Sequence, residues 1–296
     1  MANDWAQAVL AQVEQAVFGK RQVILWCLAA MLARGHILLE DIPGVGKTSL
    51  VLALSQALAL QLGRVQFSAD VMPADVVGYS MLQDGQLVYK PGPVQCNLFL
   101  ADELNRATSR TQSALLEAME ENQVTVDGIS HPLPQPFIVM ATQNPLGAGT
   151  QPLPDSLRDR FSLCLGMGYP EKEAEIRMLL QKIPKLQPIS TAEEFLKMQA
   201  AVADTYVKES VADYGVRLID ATRKSPWILR GASPRTTISV MALAKAWAFL
   251  QGRDFVTPED VRRAFLQGVS HRIVPRIDGK MLLRHIAWRV RMPKWE

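Results

Sequence analysis

Short apolar runs and longer helical patterns alternate along the first half of the chain. Apolar residues at helical spacing predict helices at Trp5–Val17, Gln22–Arg34, Ser49–Leu62 and Thr108–Asn122. Short runs of β-favouring residues between them predict strands at His36–Glu40, Arg64–Ser68, Asn97–Ala101, Phe137–Ala141 and Phe161–Leu165. Strands that alternate with helices are typical of a parallel sheet covered by helices.

The pattern changes around Gly166–Pro170, after which helical spacing dominates. The helices predicted there are Glu171–Lys182, Thr191–Tyr206, Val211–Lys224, Pro234–Gln251, Thr257–Val269 and Lys280–Val290. Thr257 is a good helix cap, and proline follows it at the first helical position. We therefore predict an α/β core with a parallel sheet at residues 1–168 and an all-α domain at residues 169–296.

Two short segments interrupt the order of strands and helices in the core. Leu82–Tyr89 and Gln123–Ser130 each place β-favouring residues on both sides of an Asp-Gly pair. Both central residues of a type I′ turn need a positive φ, which glycine adopts freely and aspartate tolerates. Both segments are therefore predicted to be β-hairpins.

A glycine-bearing loop, Asp41–Thr48, joins the first predicted strand to the next helix. Without a Cβ, Gly44 and Gly46 let the backbone curl until successive N–H groups point at phosphate oxygens. The positive N-terminal end of the helix adds to this attraction. Lys47 is then predicted to reach the β- and γ-phosphates, and the Thr48 hydroxyl to hold Mg²⁺. The alternative is a chance glycine turn between a strand and a helix.

Polar residues follow two of the later strands at the end where ligands bind in open α/β sheets. Asp102 and Glu103 follow an apolar strand, and Asn144 comes shortly after the strand at Phe137–Ala141. Asp102 is predicted to help hold Mg²⁺, and Glu103 to orient or deprotonate the water that attacks the γ-phosphate. Asn144 is a candidate for contacting the γ-phosphate or this water, although Asn-Pro also favours a simple turn.

Arginines are candidates for stabilising the charge that develops on the transferred phosphoryl group. Arg160 precedes the last predicted strand, and Arg235 stands at a predicted helix start. Arg106 and Arg158 are weaker candidates, for which ordinary salt bridges or surface contacts are expected.

Composition indicates an ordinary globular protein, with 48% hydrophobic and 21% charged residues among 296. The first 20 residues lack the pattern of a signal peptide, and the apolar stretches are too short or interrupted to span a bilayer. Three widely spaced cysteines, Cys27, Cys96 and Cys164, are predicted to be free thiols in a reducing compartment. We therefore expect a cytoplasmic protein.

Charge is unevenly distributed along the chain. Residues 221–296 contain 15 Lys and Arg against 5 Asp and Glu, a net charge of +10. The whole chain carries +3, so the first 220 residues carry −7. A basic segment can bind nucleic acid, an anionic surface or an acidic neighbouring subunit. Because its charges are scattered among apolar residues, we favour a solvated helical face.

These segments, taken in order, resemble the MoxR family of AAA+ ATPases. The matching segments are Leu39–Thr48, Leu100–Ala107, Thr111–Glu120, Gln123–Gly128, Ala141–Pro145, Asp159–Phe161 and Gly231–Arg235. The resemblance extends over about Val17–Val290 and implies a three-layer AAA+ core with a parallel sheet, followed by a helical lid domain. It also implies ATP and Mg²⁺ as cofactors. Asp41 replaces the first glycine of the usual P-loop pattern, and we expect its side chain to point away from the triphosphate.

The resemblance also implies roles for single residues. Asn144 resembles sensor 1 and Arg235 sensor 2, expected to act in its own subunit, whereas Arg160 resembles the arginine finger that enters the neighbouring subunit's site. Residues 70–94 resemble the helix-2 insert and residues 123–131 the pre-sensor-1 hairpin, which face the pore in related rings. The expected nucleotide contacts are Pro43, Gly44, Val45, Gly46, Lys47, Thr48, Ser49 and Asp102, with Thr48 and Asp102 also holding the metal.

The leading functional hypothesis is a homo-oligomeric ring, expected to be hexameric, that hydrolyses ATP to ADP and phosphate. By resemblance it is a chaperone that assembles, activates or matures a protein complex, with a von Willebrand factor A-domain protein as a candidate client. The alternative is an AAA+ nucleic-acid motor, but both hairpin turns are Asp-Gly, whereas phosphate contacts call for Lys or Arg. A third hypothesis is a nucleotide-gated scaffold with negligible hydrolysis, against which the acidic pair argues.

Overall fold

A computed structural model describes residues 2–145, 150–182 and 184–293. The helices are α1 (Ala2–Val13), α2 (Arg21–Leu32), α3 (Lys47–Ala57), α4 (Pro73–Val77), α5 (Ser109–Glu121), α6 (Asp155–Arg158), α7 (Lys172–Leu180), α8 (Ala192–Ala203), α9 (Glu209–Lys224), α10 (Pro234–Leu250), α11 (Pro258–Gly268) and α12 (Gly279–Arg289). The strands are β1 (His36–Glu40), β2 (Leu62–Gln66), β3 (Gly78–Gln83), β4 (Gln86–Pro91), β5 (Leu98–Asp102), β6 (Gln123–Val126), β7 (Ile129–Pro132), β8 (Ile138–Gln143), β9 (Phe161–Leu165), β10 (Ile228–Arg230) and β11 (Val274–Pro275). Within these ranges, the structure contains no helix with the length and apolar character needed to cross a membrane.

The predicted parallel sheet is confirmed, with the strand order β2-β5-β8-β1-β9. All residues of β5 and β8 are buried, as are all of β1 except Glu40. Strands that are covered on both faces need apolar side chains on both, which explains the continuous apolar runs in the sequence. Because the strands are parallel, the loops after β1, β5 and β8 meet at one edge of the sheet.

Helices cover both faces of this sheet and form two hydrophobic clusters. Alternate residues of β5 belong to different clusters, with Leu98 and Leu100 on one face and Phe99 and Ala101 on the other. The first cluster contains residues of α1, α2 and α3, and the second contains residues of α4 and α5. The core is therefore the three-layer α/β/α arrangement that the resemblance implies.

The helical C-terminal region packs on the first of these layers. Trp26 of α2 stacks on Trp247 of α10, with ring centroids 4.2 Å apart, and Gln199 of α8 donates a buried hydrogen bond of 2.7 Å to the Met31 carbonyl. The hydrophobic cluster is continuous from α2 into the C-terminal helices. A short antiparallel pair, β10 with β11, is an addition to the helices that the sequence predicts there.

Both predicted hairpins are present. The turn residues Asp84 and Gly85 have φ values of 52° and 78°, and Asp127 and Gly128 have 51° and 80°. The hairpins β3–β4 and β6–β7 contact each other through Tyr89, whose ring stacks on His131 at 3.7 Å between centroids. The short helix α4, which the sequence pattern did not reveal, precedes the first hairpin.

The predicted boundary between α3 and β2 is wrong. Helix α3 ends at Ala57 rather than at Leu62, and β2 begins at Leu62 rather than at Arg64. Ala59 takes a left-handed conformation with φ 48°, which ends the helical path early. The Asn97 backbone N–H then donates 3.0 Å to the Gln61 carbonyl, at the start of the pairing of β2 with β5. Tertiary pairing therefore overrides the apolar spacing that favoured a longer helix.

Candidate functional site

The loop between β1 and α3 has the backbone that an anion site requires. Gly44 and Gly46 have φ values of 82° and 92°, a conformation that residues with a Cβ rarely adopt. Gly46 is also the N-cap of α3, and no side chain caps this helix. The first backbone N–H groups of α3 are consequently available to phosphate oxygens at the positive end of the helix.

The side chains of Lys47 and Asp41 make hydrogen bonds that stabilise this loop. The Lys47 ammonium donates hydrogen bonds to the carbonyls of Asp41 and Ile42, the second at 2.9 Å. Burial lowers the pKa of Lys47, while the carboxylates of Asp41, Asp102 and Glu103 act in the opposite direction. The Asp41 carboxylate accepts from the backbone N–H of Ile42 at 2.8 Å and from that of Gly168.

A cavity of about 350 Å³ lies beside the loop, at the carboxyl edge of the sheet. It is lined by Pro43, Gly44, Gly46, Lys47, Thr48, Ser49, Arg64, Gln66, Asp102, Glu103, Thr142, Gln143 and Asn144. The structure therefore brings the loop, the acidic pair and Asn144 together, as the strand order requires. Asp41 is not among the lining residues, which agrees with the expectation that it points away.

Asp102 is held by three side chains at the end of β5. Its Oδ1 accepts a hydrogen bond of 2.6 Å from the Thr142 hydroxyl, and its Oδ2 accepts 3.4 Å from Thr48 and 2.9 Å from Arg64. Carboxylate and hydroxyl oxygens are hard ligands of the kind Mg²⁺ takes, and Mg²⁺ commonly uses one or two protein ligands together with substrate phosphates. Thr48 and Asp102 therefore fit this metal.

Glu103 has a strained backbone and a side chain that is already paired. Its φ of 57° is uncommon for a residue with a side chain, and such strain is frequent at functional sites. Its backbone N–H donates 2.9 Å to the Thr142 hydroxyl, which fixes this conformation, and its carboxylate accepts 2.8 Å from Arg106. Arg106 thus makes the salt bridge expected of it, although with the candidate base itself.

Asn144 stands just beyond β8 and borders the same cavity. Its backbone carbonyl accepts 3.1 Å from the Asn105 side-chain amide, which joins the loop after β8 to the residues that follow the acidic pair. Sequence reasoning missed Thr142, which holds both acidic residues in place. Its only signal was a polar residue at the end of an apolar strand.

A second, apolar cavity of about 180 Å³ adjoins the first and was also missed. The two cavities share Gly46 and Ser49, and Val45 lines the second one. Its other walls are Ala16, Val17, Phe18, Lys20, Pro170 and Met178. The break in helical spacing at Phe18-Gly19 was the available signal in the sequence.

Arg160 lies at the amino ends of the parallel strands, whereas the polar cavity beside the P-loop lies at their carboxyl ends. It directly precedes β9, so it stands at the amino end of the parallel strands, where it interacts with His36, the first residue of β1. A five-residue strand is about 16 Å long, which is the depth of sheet between Arg160 and the carboxyl edge. Its guanidinium pairs with Glu120. Burial lowers the pKa of Arg160, and the positive charge of the nearby Arg235 lowers it further.

Arg235 lies close to Arg160 and is not among the residues lining the cavity of its own chain. Its guanidinium is 3.8 Å from a carboxylate oxygen of Asp159, and Arg272 lies at the same distance from the other oxygen. Burial lowers the pKa of Arg272 to about 10. Helix α10 begins beside Asp159 rather than over the P-loop, and the action of Arg235 in its own subunit stays a prediction.

A P-loop after β1, an acidic pair after β5 and a polar residue after β8 define an ATPase of the AAA+ class. Two family models match the chain: ATPase family associated with various cellular activities (AAA), at residues 36–163, and AAA lid domain, at residues 220–283.

Similar proteins narrow the assignment from the AAA+ class to one family within it. The chaperone MoxR1 of Mycobacterium tuberculosis is 36% identical over 92% of this chain and 76% of its own length. The Bacillus subtilis protein YeaC, described as uncharacterized, is 40% identical over 95% of this chain and 92% of its own. A crystal structure of a proposed ATPase from Cytophaga hutchinsonii is 34% identical, with a TM-score of 0.91 over 99% of this chain and 96% of the other. The chain belongs to the MoxR family of AAA+ ATPases and hydrolyses ATP.

Proposed function

We propose that this chain is a subunit of a hexameric, Mg²⁺-dependent ATPase ring that acts as a cytoplasmic chaperone on a protein complex. The observation that carries the ring is the separation of functional residues. One cavity is bordered by the P-loop, Asp102, Glu103 and Asn144. Arg160 and Arg235 lie instead at the amino ends of the parallel strands. Two copies side by side can complete a site that one copy leaves without Arg160 and Arg235.

ATP would occupy the two adjoining cavities. The polar cavity matches the triphosphate, because Lys47 and the N-terminal end of α3 are positive. The apolar cavity between Val17 and Pro170 matches the adenine base, whose flat ring gains from contact with apolar walls. Gly46 and Ser49 lie between them, where the sugar and the first phosphates would bind.

The residues of the polar cavity then have distinct tasks. Mg²⁺, held by Thr48 and Asp102, would neutralise charge on the phosphate oxygens. Glu103 would exchange its contact with Arg106 for the attacking water and accept its proton. Asn144 would orient this water or the γ-phosphate. The Thr142 hydroxyl would hold the Asp102 carboxylate and the Glu103 backbone in place.

The hairpins β3–β4 and β6–β7 are the surfaces through which a client would be moved. Leu82 and Leu87 face each other next to the first turn and are 70% and 72% exposed, and Ile129 beside the second turn is 63% exposed. The Tyr89–His131 stack joins the hairpins, so they would move together. Exposed apolar tips suit a protein client, and a von Willebrand factor A-domain protein is our candidate.

The name of the M. tuberculosis relative, a chaperone, supports this role. The test is the mass of the Glu103→Gln protein in solution with ATP and Mg²⁺, measured by native mass spectrometry. We expect six subunits, and the same variant should retain a client when used as bait in a cell extract. A monomer under saturating ATP would contradict the ring.

The alternative of a nucleic-acid motor rests on the basic C-terminal segment. On α12, Arg284, His285, Trp288 and Arg289 are exposed. The hairpin turns argue against it, because Asp84 and Asp127 are exposed there and would repel phosphates. Tight DNA binding that weakens steeply with salt and stimulates hydrolysis would favour the motor.

A further inference from the structure

Arg64 on β2 belongs to none of the segments that point to ATP hydrolysis, yet it borders the same cavity as Lys47 and Glu103. Its Nη2 donates a hydrogen bond of 2.9 Å to Oδ2 of Asp102. The Arg64 side chain is 46% exposed and the Asp102 side chain 11%. An exposed guanidinium is therefore placed on a nearly buried carboxylate that is a candidate metal ligand.

The two oxygens of Asp102 have different partners. The Thr142 hydroxyl donates to Oδ1 at 2.6 Å, so this oxygen is directed toward β8. Oδ2 is the oxygen nearest the Thr48 hydroxyl, at 3.4 Å. Hard oxygen atoms are the ligands that Mg²⁺ takes, so the Thr48 hydroxyl and Oδ2 of Asp102 are the pair that would hold it. Arg64 thus contacts the oxygen that would bind the metal.

The strand register explains how Arg64 reaches this oxygen. Gln66 of β2 is the partner of Asp102 in β5, and Arg64 precedes Gln66 by two residues on the same face of the sheet. The long arginine side chain extends along the strand to the carboxylate. Because β2 is at the edge of the sheet, the guanidinium can leave toward solvent without a change in the backbone.

A guanidinium and a divalent cation repel each other, so each weakens the binding of the other to the same carboxylate oxygen. We propose that Arg64 is a positioning residue that competes with the divalent cation for Oδ2 of Asp102. The phosphates of a nucleotide add negative charge beside Thr48 and shift this competition toward the metal. Arg64 therefore makes metal binding depend on the nucleotide. This inference rests on the proposed Mg²⁺-dependent function.

The test is the affinity of the full-length protein for Mn²⁺ alone, measured from the free-Mn²⁺ signal in electron paramagnetic resonance. Arg64→Gln should bind Mn²⁺ at least about tenfold more tightly than the unmodified chain, because one positive charge next to the ligand is gone. Arg64→Lys keeps the charge and should stay close to the unmodified chain. Arg217→Gln, which removes an exposed arginine paired with Asp213 on α9, is the matched control and should also show no change.

Adding Asp102→Asn to Arg64→Gln should abolish the gain, which places the metal at Asp102. Adding ADP should raise Mn²⁺ affinity by a larger factor in the unmodified chain than in Arg64→Gln. Equal Mn²⁺ affinity of Arg64→Gln and the unmodified chain, with both folded by circular dichroism, would overturn the competition. So would a gain that survives Asp102→Asn. Because the first comparison contains no nucleotide and no turnover, its outcome is separate from whether the ring hydrolyses ATP in the proposed way.

Discussion

The carboxylate of Asp41 accepts a hydrogen bond from the backbone N–H of Gly168, so the P-loop is tied to the segment that leads into the C-terminal helices. The same carboxylate accepts from the Ile42 N–H at 2.8 Å. From the other side, the Lys20 ammonium donates to the carbonyls of Gly168 and Tyr169, at 3.1 and 2.8 Å. The aspartate that departs from the usual P-loop pattern is thus a structural contact between the two regions.

Replacing Asp41 with alanine should lower the free energy of unfolding by about 1–2 kcal/mol, because two hydrogen bonds to a partly exposed charged group are lost. Urea denaturation measures this change. Asp70→Ala, which removes an exposed carboxylate on the loop after β2, should unfold like the unmodified chain. Identical unfolding of Asp41→Ala and Asp70→Ala would show that the tie to Gly168 contributes nothing.

Replacing Glu103 with glutamine should lower the rate of ATP hydrolysis by about a hundredfold or more, because the amide cannot accept a proton from the water. Binding of a fluorescent ATP analogue should remain, since Lys47 and the α3 end are unchanged. Glu121→Gln, at the exposed end of α5, serves as the matched control with normal turnover. Turnover of Glu103→Gln close to that of the control would remove Glu103 from its proposed role.

Acid should destabilise the chain below about pH 6.5 because of two buried histidines. His36 accepts from the Val139 N–H at Nδ1 and contacts the Met119 carbonyl through Nε2, an arrangement that requires the neutral ring. Burial lowers the pKa of His36 to about 4 and that of His271 to about 3. The unfolded chain therefore binds more protons than the folded chain between these values and the ordinary pKa. The stability that the neutral histidines contribute is fully present above about pH 6.5 and is lost as the pH drops toward 4.

The measurement is the unfolding free energy by denaturant at several pH values. His36→Gln, whose amide can donate and accept at similar positions, should reduce the slope between pH 6.5 and 4 by about one proton. His285→Gln changes an exposed ring on α12 and should leave the slope as it was. An unchanged slope in His36→Gln would contradict the assignment of the neutral ring.

The sequence predicted those parts of the site whose physical cause is local. Gly44 and Gly46 form the phosphate loop through their own backbone freedom, and the Asp-Gly pairs form their turns for the same reason. The placing of Asp102 beside this loop followed from the parallel strands. The contacts of Thr142 and Arg64 with Asp102 depend instead on strand order and register, which a single sequence leaves open.

Arg235 shows the same limit at the level of domains. Its helix start was recognised from Ser233-Pro234-Arg235, and α10 does begin there with a Ser233 cap. Its position relative to the P-loop depends on how the C-terminal helices pack, through contacts such as Trp26 with Trp247. These contacts join residues more than 200 positions apart, so local patterns could not reveal which subunit's ATP Arg235 faces.

A mixing experiment locates the action of Arg235. Arg235→Ala should be inactive alone, and mixing it with Glu103→Gln should restore hydrolysis, because Arg235 lies beside Arg160 and away from its own cavity. The steady-state ATPase rate of the mixture is the readout. If the mixture stays inactive while mixed rings form, Arg235 acts in its own subunit, as the resemblance first implied.

The shared site is tested most directly by the ATPase rate of rings mixed from Arg160→Ala and Glu103→Gln subunits. Each variant alone should be inactive, the first because the arginine from the neighbouring subunit is missing and the second because the base is missing. An equal mixture should recover roughly a quarter of the unmodified rate, since that share of random neighbours pairs an intact Glu103 with an intact Arg160. Arg110→Ala, an exposed arginine on α5, should be fully active alone. No recovery in rings shown by native mass spectrometry to contain both variants would contradict a site completed by the neighbouring subunit.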